Sequence, residues 1–212
     1  MLFKFLLCFC CVAGMSAGAQ NTNGQPKKPF GVKGGVNTNY MSSLRSFDAK
    51  NNIGFFAGVF YAPATKSRFG SRSEILFSRQ GYDYSSNQQT GTVRLDYLML
   101  PQLFTVNFTR FLQVQAGVQM AILLRGAVDS SASPSSVPNP AKPTDVFARF
   151  HFGYAAGLES NPIGGLTIGA RYNLFLNLLD NNGGQPAVPA YVPDYSGRLK
   201  HGTFQFSVGY RF

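Results

Sequence analysis

From Phe30 to its end the chain alternates apolar and polar residues with a period of two, the pattern of strands whose two faces meet different surroundings, and almost nowhere with the helical period of 3.6. The last strand is the clearest: Phe204, Phe206, Val208, Tyr210 and Phe212 interleave with Gln205, Ser207, Gly209 and Arg211. The same rule sets Phe30, Val32, Gly34 and Val36 against Lys33, Gly35 and Asn37 in a first strand. A fifth sets Leu112, Val114, Ala116, Val118, Met120 and Ile122 against Gln113, Gln115, Gly117 and Gln119. A sixth opposes Ala148, Phe150, Phe152, Tyr154, Ala156 and Leu158 to Arg149, His151, Gly153, Gly157 and Glu159. A seventh opposes Leu166, Ile168, Ala170, Tyr172, Leu174 and Leu176 to Thr167, Gly169, Arg171, Asn173 and Asn177.

Strands two to four are less regular. Ile53 to Tyr61 is apolar on both parities, and Arg68 to Gln80 sets Ile75 and Phe77 against Arg72, Glu74, Ser78 and Gln80. In the fourth, Val93, Leu95, Tyr97 and Met99 oppose Arg94 and Asp96, and the pattern resumes as Phe104, Val106 and Phe108. Proline in a strand often marks a bulge, which shifts parity by one, so a slip is expected at Leu100-Pro101.

Short links (Pro63 to Ser67, Thr109-Arg110, Asn161 to Gly165) are expected to alternate with long polar ones (Met41 to Asn51, Tyr82 to Gly91, Gly126 to Asp145, Leu178 to Leu199). Eight antiparallel strands in up-and-down order, short turns on one rim and long loops on the other, describe a transmembrane β-barrel with periplasmic turns, periplasmic termini and extracellular loops. Backbone groups left unpaired in hydrocarbon cost several kcal/mol each, so strands cross a membrane only as a closed cylinder. Eight strands enclose a space that side chains fill, so a plugged lumen is expected. A soluble barrel of lipocalin type would put the apolar face inside and leaves the unequal rims unexplained.

The N-terminus supplies the address. Lys4 precedes an apolar run from Phe5 to Gly14, and Ser16-Ala17-Gly18-Ala19 offers an A-x-A-type cleavage site. Residues 1–19 therefore read as a secretory signal peptide, 20–29 as a short periplasmic segment and 30–212 as the outer-membrane barrel. The apolar run is shorter than the ~20 residues a spanning helix needs, and no other stretch approaches that length. Cys8, Cys10 and Cys11 all fall in the leader, so the mature protein has no thiol for disulfides or metal. A lipoprotein would need small residues just before one of these cysteines, and they are missing.

Composition sharpens the reading. There are 20 Phe and 10 Tyr but only 13% charged residues, which suits an apolar exterior. Lys and Arg outnumber Asp and Glu 19 to 9 but are spread singly along the strands, so the excess argues for anionic lipid headgroups and against nucleic acid. The ionisable residues expected to face inward are Lys33, Arg72, Glu74, Arg94, Asp96, Arg149, His151, Glu159, Arg171 and Arg211. A proton or ion path is one reading. The favoured one is a space-filling set of ion pairs, in which Glu74 and Asp96 pair with Arg72 and Arg94 across neighbouring strands, because buried charges must be paired. No cofactor loop is evident, and two lone histidines, His151 and His201, do not make a metal site. No motif places a nucleophile beside either histidine, so no catalytic residue is expected.

Four segments carry a resemblance: Phe30-Gly31-Val32-Lys33-Gly34-Gly35-Val36-Asn37, Ser73-Glu74-Ile75-Leu76-Phe77-Ser78-Arg79-Gln80-Gly81, Leu95-Asp96-Tyr97-Leu98-Met99-Leu100-Pro101, and Phe206-Ser207-Val208-Gly209-Tyr210-Arg211-Phe212. In this order they resemble the PorT-like outer-membrane β-barrel family of Bacteroidota. The resemblance implies an integral barrel, and its named member belongs to a protein-secretion system. Tyr210 and Phe212 are similar to the C-terminal aromatic signal read by the barrel-assembly machinery, although Ser207 stands where a glycine is common. The expected partners are outer-membrane lipid, that machinery and an envelope or secretion-system protein. A monomeric barrel acting through its external loops is the first reading; an accessory secretion or assembly component and a lipid-modifying enzyme are the alternatives.

Overall fold

The computed structural model describes residues 29–42, 48–51, 53–63, 67–86, 89–109, 111–130, 149–176 and 200–212. The signal peptide expected at 1–19, the segment to residue 28 and most of the two longest links lie outside these residues. Among the described residues nine strands form one antiparallel sheet: β1 (Phe30–Ser42), β2 (Asp48–Asn51), β3 (Ile53–Tyr61), β4 (Phe69–Ser86), β5 (Gln89–Asn107), β6 (Leu112–Ser130), β7 (Phe150–Ser160), β8 (Leu166–Phe175) and β9 (Lys200–Arg211). β2 and β3 both pair with β4, at Tyr82–Ser85 and Ser73–Arg79, so together they occupy one of eight positions around the wall. β1 pairs with β9 and β4 with β5, so the sheet closes on itself.

The barrel is inside-out. Phe204, Phe206, Val208, Tyr210 and Phe212 point away from the lumen and are exposed, as are Phe30, Val32, Val36, Phe55, Val59, Phe152, Tyr154 and Leu158 on the other strands. Their alternate neighbours, Lys33, Asn37, Gln113, Gln115, Arg171, Asn173 and Gln205, are buried. In water such an exterior would lose roughly 25 cal/mol for every Å² of apolar surface left uncovered; in hydrocarbon that penalty vanishes. Glycine serves the inner face where bulk is needed next door: a side chain on Gly31 would collide with the Phe60 ring.

The expected slip at Leu100-Pro101 does not occur. Odd residues from Val93 through Leu103 to Thr105 all face inward, and β4–β5 pairing resumes in unchanged register on the far side of Pro101, from Ser73↔Gln102 to Leu76↔Met99. Proline removes a ladder donor without adding a residue, so parity survives. The irregularity lies higher, in β6: Asp96 faces Arg125 while Tyr97 faces Leu123, leaving Leu124 as the extra residue of a bulge.

The links also differ from the expected alternation. Asp48–Asn51 is strand, and β4 and β5 run on through most of the expected Tyr82–Gly91 loop, with only residues 87–88 between them. A tilted strand crosses a bilayer in about 9–11 residues. β4, β5 and β6 are 18, 19 and 19 residues long, so they project past the apolar band on the rim opposite the start of β1 and the end of β9. The other rim carries the tight connections. At one, Thr109 Oγ1 accepts from the amides of Phe111 (3.2 Å) and Leu112 (3.0 Å). At another, Gly164 and Gly165 take positive φ (36° and 98°), a conformation that costs glycine nothing.

Candidate functional site

Among the described residues the lumen gathers ionisable side chains from four strands. Strand parity brings them there: Lys33 from β1, Arg72 and Glu74 from β4, Glu159 from β7 and Arg171 from β8 are all buried inside. Glu74 is the hub. Its carboxylate accepts a bidentate pair from Arg171 (2.7 and 2.8 Å) and a bond from Lys33 Nζ at 3.2 Å, while Arg72 Nε stands 3.8 Å away. Arg72 Nη1 donates to Glu159. Bidentate guanidinium–carboxylate bonding is among the strongest side-chain hydrogen bonding, and here it ties walls of the cylinder that share no backbone ladder.

From the hub an amide chain descends to the turn rim: Arg171 donates to Gln115 (2.9 Å), Gln115 to Gln113 (3.2 Å) and Gln113 to Asn107 (2.9 Å). A second amide group sits towards the projecting rim, where Asn37 and Gln80 both donate to Ser78 Oγ, at 3.0 and 3.1 Å. Above the charges the lumen turns apolar. Leu76, Val93, Leu95, Tyr97, Met99, Ala121, Leu123, Ala155 and Phe175 are buried there, and His151 presents ring edges to Tyr97 and Phe175 at centroid distances of 5.3 and 6.2 Å. His151 thus faces the lumen filling and is walled off from the lipid-facing exterior. The side chain of His201 lies outside the described residues.

Three of the residues expected inside are elsewhere. Arg94 and Asp96 are outward, because parity on β5 is unbroken, and the expected pairing of Asp96 and Arg94 with Glu74 and Arg72 does not form. Asp96 instead accepts a bidentate pair from Arg79 at 2.7 and 2.9 Å, and Arg94 lies 3.0 Å from Asp129. Arg149 is exposed just before β7. Arg211 is half-buried at the turn rim, where its guanidinium lies 6.0 Å from the Phe60 ring. The apolar upper lumen was missed because Val93, Leu95, Tyr97 and Met99 look like a lipid-facing row. One cue was available: Arg79, on the outward parity of β4, needs an acidic partner on an adjacent strand, and Asp96 supplies it.

A closed antiparallel cylinder with a greasy exterior and a lumen of ion pairs, amides and packed rings defines an integral membrane β-barrel. The chain belongs to the family described as the outer membrane protein beta-barrel domain, whose model matches residues 7–212. Among solved structures it is similar to Neisserial surface protein A, at 13% identity over 87% of this chain and 98% of that one, with a TM-score of 0.50. It is similar to OprG of Pseudomonas aeruginosa at 12% identity, over 88% and 97%, with a TM-score of 0.46. It is also similar to Ail of Yersinia pestis, crystallised with the heparin analogue sucrose octasulfate, at 16% identity, over 86% and 97%, with a TM-score of 0.45. No curated protein sequence matches.

Proposed function

We propose that this outer-membrane barrel is an interaction protein with a closed lumen, which meets its partner through the strand ends projecting past the apolar band and the residues that join them. One observation carries the reading: β4, β5 and β6 extend well beyond what a crossing requires, and their outer face changes there from Phe77, Leu98 and Ile122 to Arg79, Asp96, Arg94, Arg125 and Asp129. A sheet that continues beyond the bilayer with charges on its face is a platform in water. The lumen fits a structural part. Lys33, Arg72, Glu74, Glu159 and Arg171 are tied to one another, the upper half is packed with side chains, and the cavity beside Lys33, Glu159, Arg171 and Gln205 is about 10 Å³, roughly the space of one water.

In this reading residues 1–19 are removed on export, both termini lie in the periplasm, the platform faces outward, and the barrel is a monomer inserted by the assembly machinery. The PorT-like resemblance favours a Bacteroidota envelope and, as a second reading, an accessory place in a secretion or assembly system.

Planar-bilayer recording and native-membrane crosslinking test it together. The refolded barrel should give no conductance steps. Replacing residues 84–91 by a two-residue turn, or deleting Gly126 to Asp145, should leave a folded barrel that no longer crosslinks the partner caught by the intact protein. Discrete conductance steps, or an unchanged crosslinking pattern from the trimmed barrels, would overturn the proposal.

A further inference from the structure

The outer face of β4, β5 and β6 changes character in registered rows. Phe77, Leu98 and Ile122 stand abreast across the three strands, and the next outward row sets Arg79, Asp96 and Arg125 side by side. Gly81, Arg94 and Ala127 follow, then Asp83, Thr92 and Asp129. Away from the turn rim the order is therefore apolar, then guanidinium, then carboxylate. The bulge makes this order. In a regular ladder Asp96 would face Leu124; the extra residue brings Arg125 into the row and leaves Leu124, 54% exposed, at the edge of the apolar surface.

The arginine row also stands at a definite height. Phe69, exposed and stacked on Phe104 at a centroid distance of 5.7 Å, marks the turn-rim edge of the apolar band. Arg79 lies ten residues farther along β4, which at about 3.3 Å per residue and a tilt of about 40° is a climb of roughly 25 Å, the height of such a band. The row meets the headgroup layer there. Its one carboxylate is spent, because Asp96 accepts Nε and Nη2 of Arg79 and is only 13% exposed. Arg79 keeps Nη1 open. Arg125 is exposed and makes no hydrogen bond or ion pair among the described residues, and Arg149, whose carbonyl accepts from the Leu123 amide at 2.9 Å, adds a further exposed cation nearby.

We propose that this border is a binding site for one membrane lipid with an anionic phosphate headgroup, its phosphate held by Arg125 and Nη1 of Arg79 and its acyl chains laid on Phe77, Leu98, Ile122 and Leu124. Two ladder spacings, about 10 Å, separate β4 from β6, a span that two arginine side chains close from either side of one phosphate. Guanidinium donors match phosphate oxygens in a plane, and arginine stems lie along apolar surface while the heads stay at the headgroup level. The row of Asp83 and Asp129 above repels an anion that rises too far. Inorganic phosphate would fill only the polar half of the site, so a lipid is the occupant. The inference shares the placement of the apolar band with the function proposed above and does not depend on the partner proposed there.

The test uses the full barrel refolded in a neutral maltoside detergent, with bound lipid counted by native mass spectrometry. Phosphatidic acid is the probe, phosphatidylcholine of the same chains the neutral reference, and inorganic phosphate the competitor. Phosphatidic acid should be retained over phosphatidylcholine by roughly twentyfold, about fivefold for each arginine beside the anionic group. Arg125→Gln should keep the heat-modifiable band, since the side chain is exposed, and lose about fivefold in phosphatidic acid affinity. Arg125→Lys, which keeps the charge without the planar donors, should lose less. Arg68→Gln, exposed at the turn rim, should bind like the parent. Equal retention of the two lipids, an unchanged affinity in Arg125→Gln, or an equal loss in Arg68→Gln would each overturn the site. Displacement of the lipid by a hundredfold excess of inorganic phosphate would assign the row to soluble anions and overturn it too. None of these outcomes bears on crosslinking to the protein partner, which the trimmed barrels test separately.

Discussion

Glu74→Ala separates the lumen from the outer surface more sharply than any other single change. The carboxylate removed is fully buried and accepts three hydrogen bonds, two from Arg171 and one from Lys33. Without it Arg171 keeps only Gln115, Lys33 loses the partner it has here, and Glu159 is the one buried carboxylate left in the lumen among the described residues. Breaking a buried ion pair by deleting one partner costs about 3–5 kcal/mol, because the surviving charge is stranded. For a chain of roughly this size each kcal/mol moves the midpoint by about 2–4 °C, so a fall of roughly 6–20 °C is expected. The control is Asp96→Ala, which breaks the Arg79 bidentate pair on the outer face. Arg79 is partly exposed there, and exposed pairs are worth about 0.2–1 kcal/mol. Both variants would be refolded in phosphate-free detergent and followed by heat-modifiability on gels and by circular dichroism. Adding Arg171→Ala to Glu74→Ala should recover part of the loss, since the stranded cation goes with its partner. Equal midpoints for Glu74→Ala and Asp96→Ala, or additive losses in the double variant, would refute the hub.

Two further outcomes test the wall. Phe206→Arg places a charge in the lipid-facing row and should reduce folding into vesicles by about 2–4 kcal/mol if the residue lies near mid-bilayer, falling towards zero near an interface; a neutral effect across several bilayer thicknesses would count against the inside-out assignment. Gly35→Val should abolish the heat-modifiable band, because a side chain there would run into the Phe206 carbonyl at the β1–β9 contact that closes the cylinder, and a fully folded variant would show that the two strands lie farther apart.

The inside-out design was legible in the chain because strand periodicity is a local property. With successive side chains on opposite faces, the row from Phe204 to Phe212 and its polar counterpart from Gln205 to Arg211 declare two environments without knowledge of any neighbour. What periodicity cannot supply is which face is which when both carry apolar residues. On β5 the row of Val93, Leu95, Tyr97 and Met99 is as greasy as a lipid-facing one, yet it fills the upper lumen, because Thr105 at one end and the outward Arg79–Asp96 bond at the other set the parity of the whole strand. Arg94 and Asp96 were misplaced for the same reason.

By itself the sequence determined the strand period, the polarity of the two faces on most strands, and the candidates for luminal charge. Only the closed structure decided who pairs with whom. Glu74 meets Arg171, 97 positions away, and Arg72 meets Glu159, 87 positions away, because closing a sheet into a cylinder brings strands that share no ladder face to face across a narrow lumen. That juxtaposition depends on strand number and register around the full circuit.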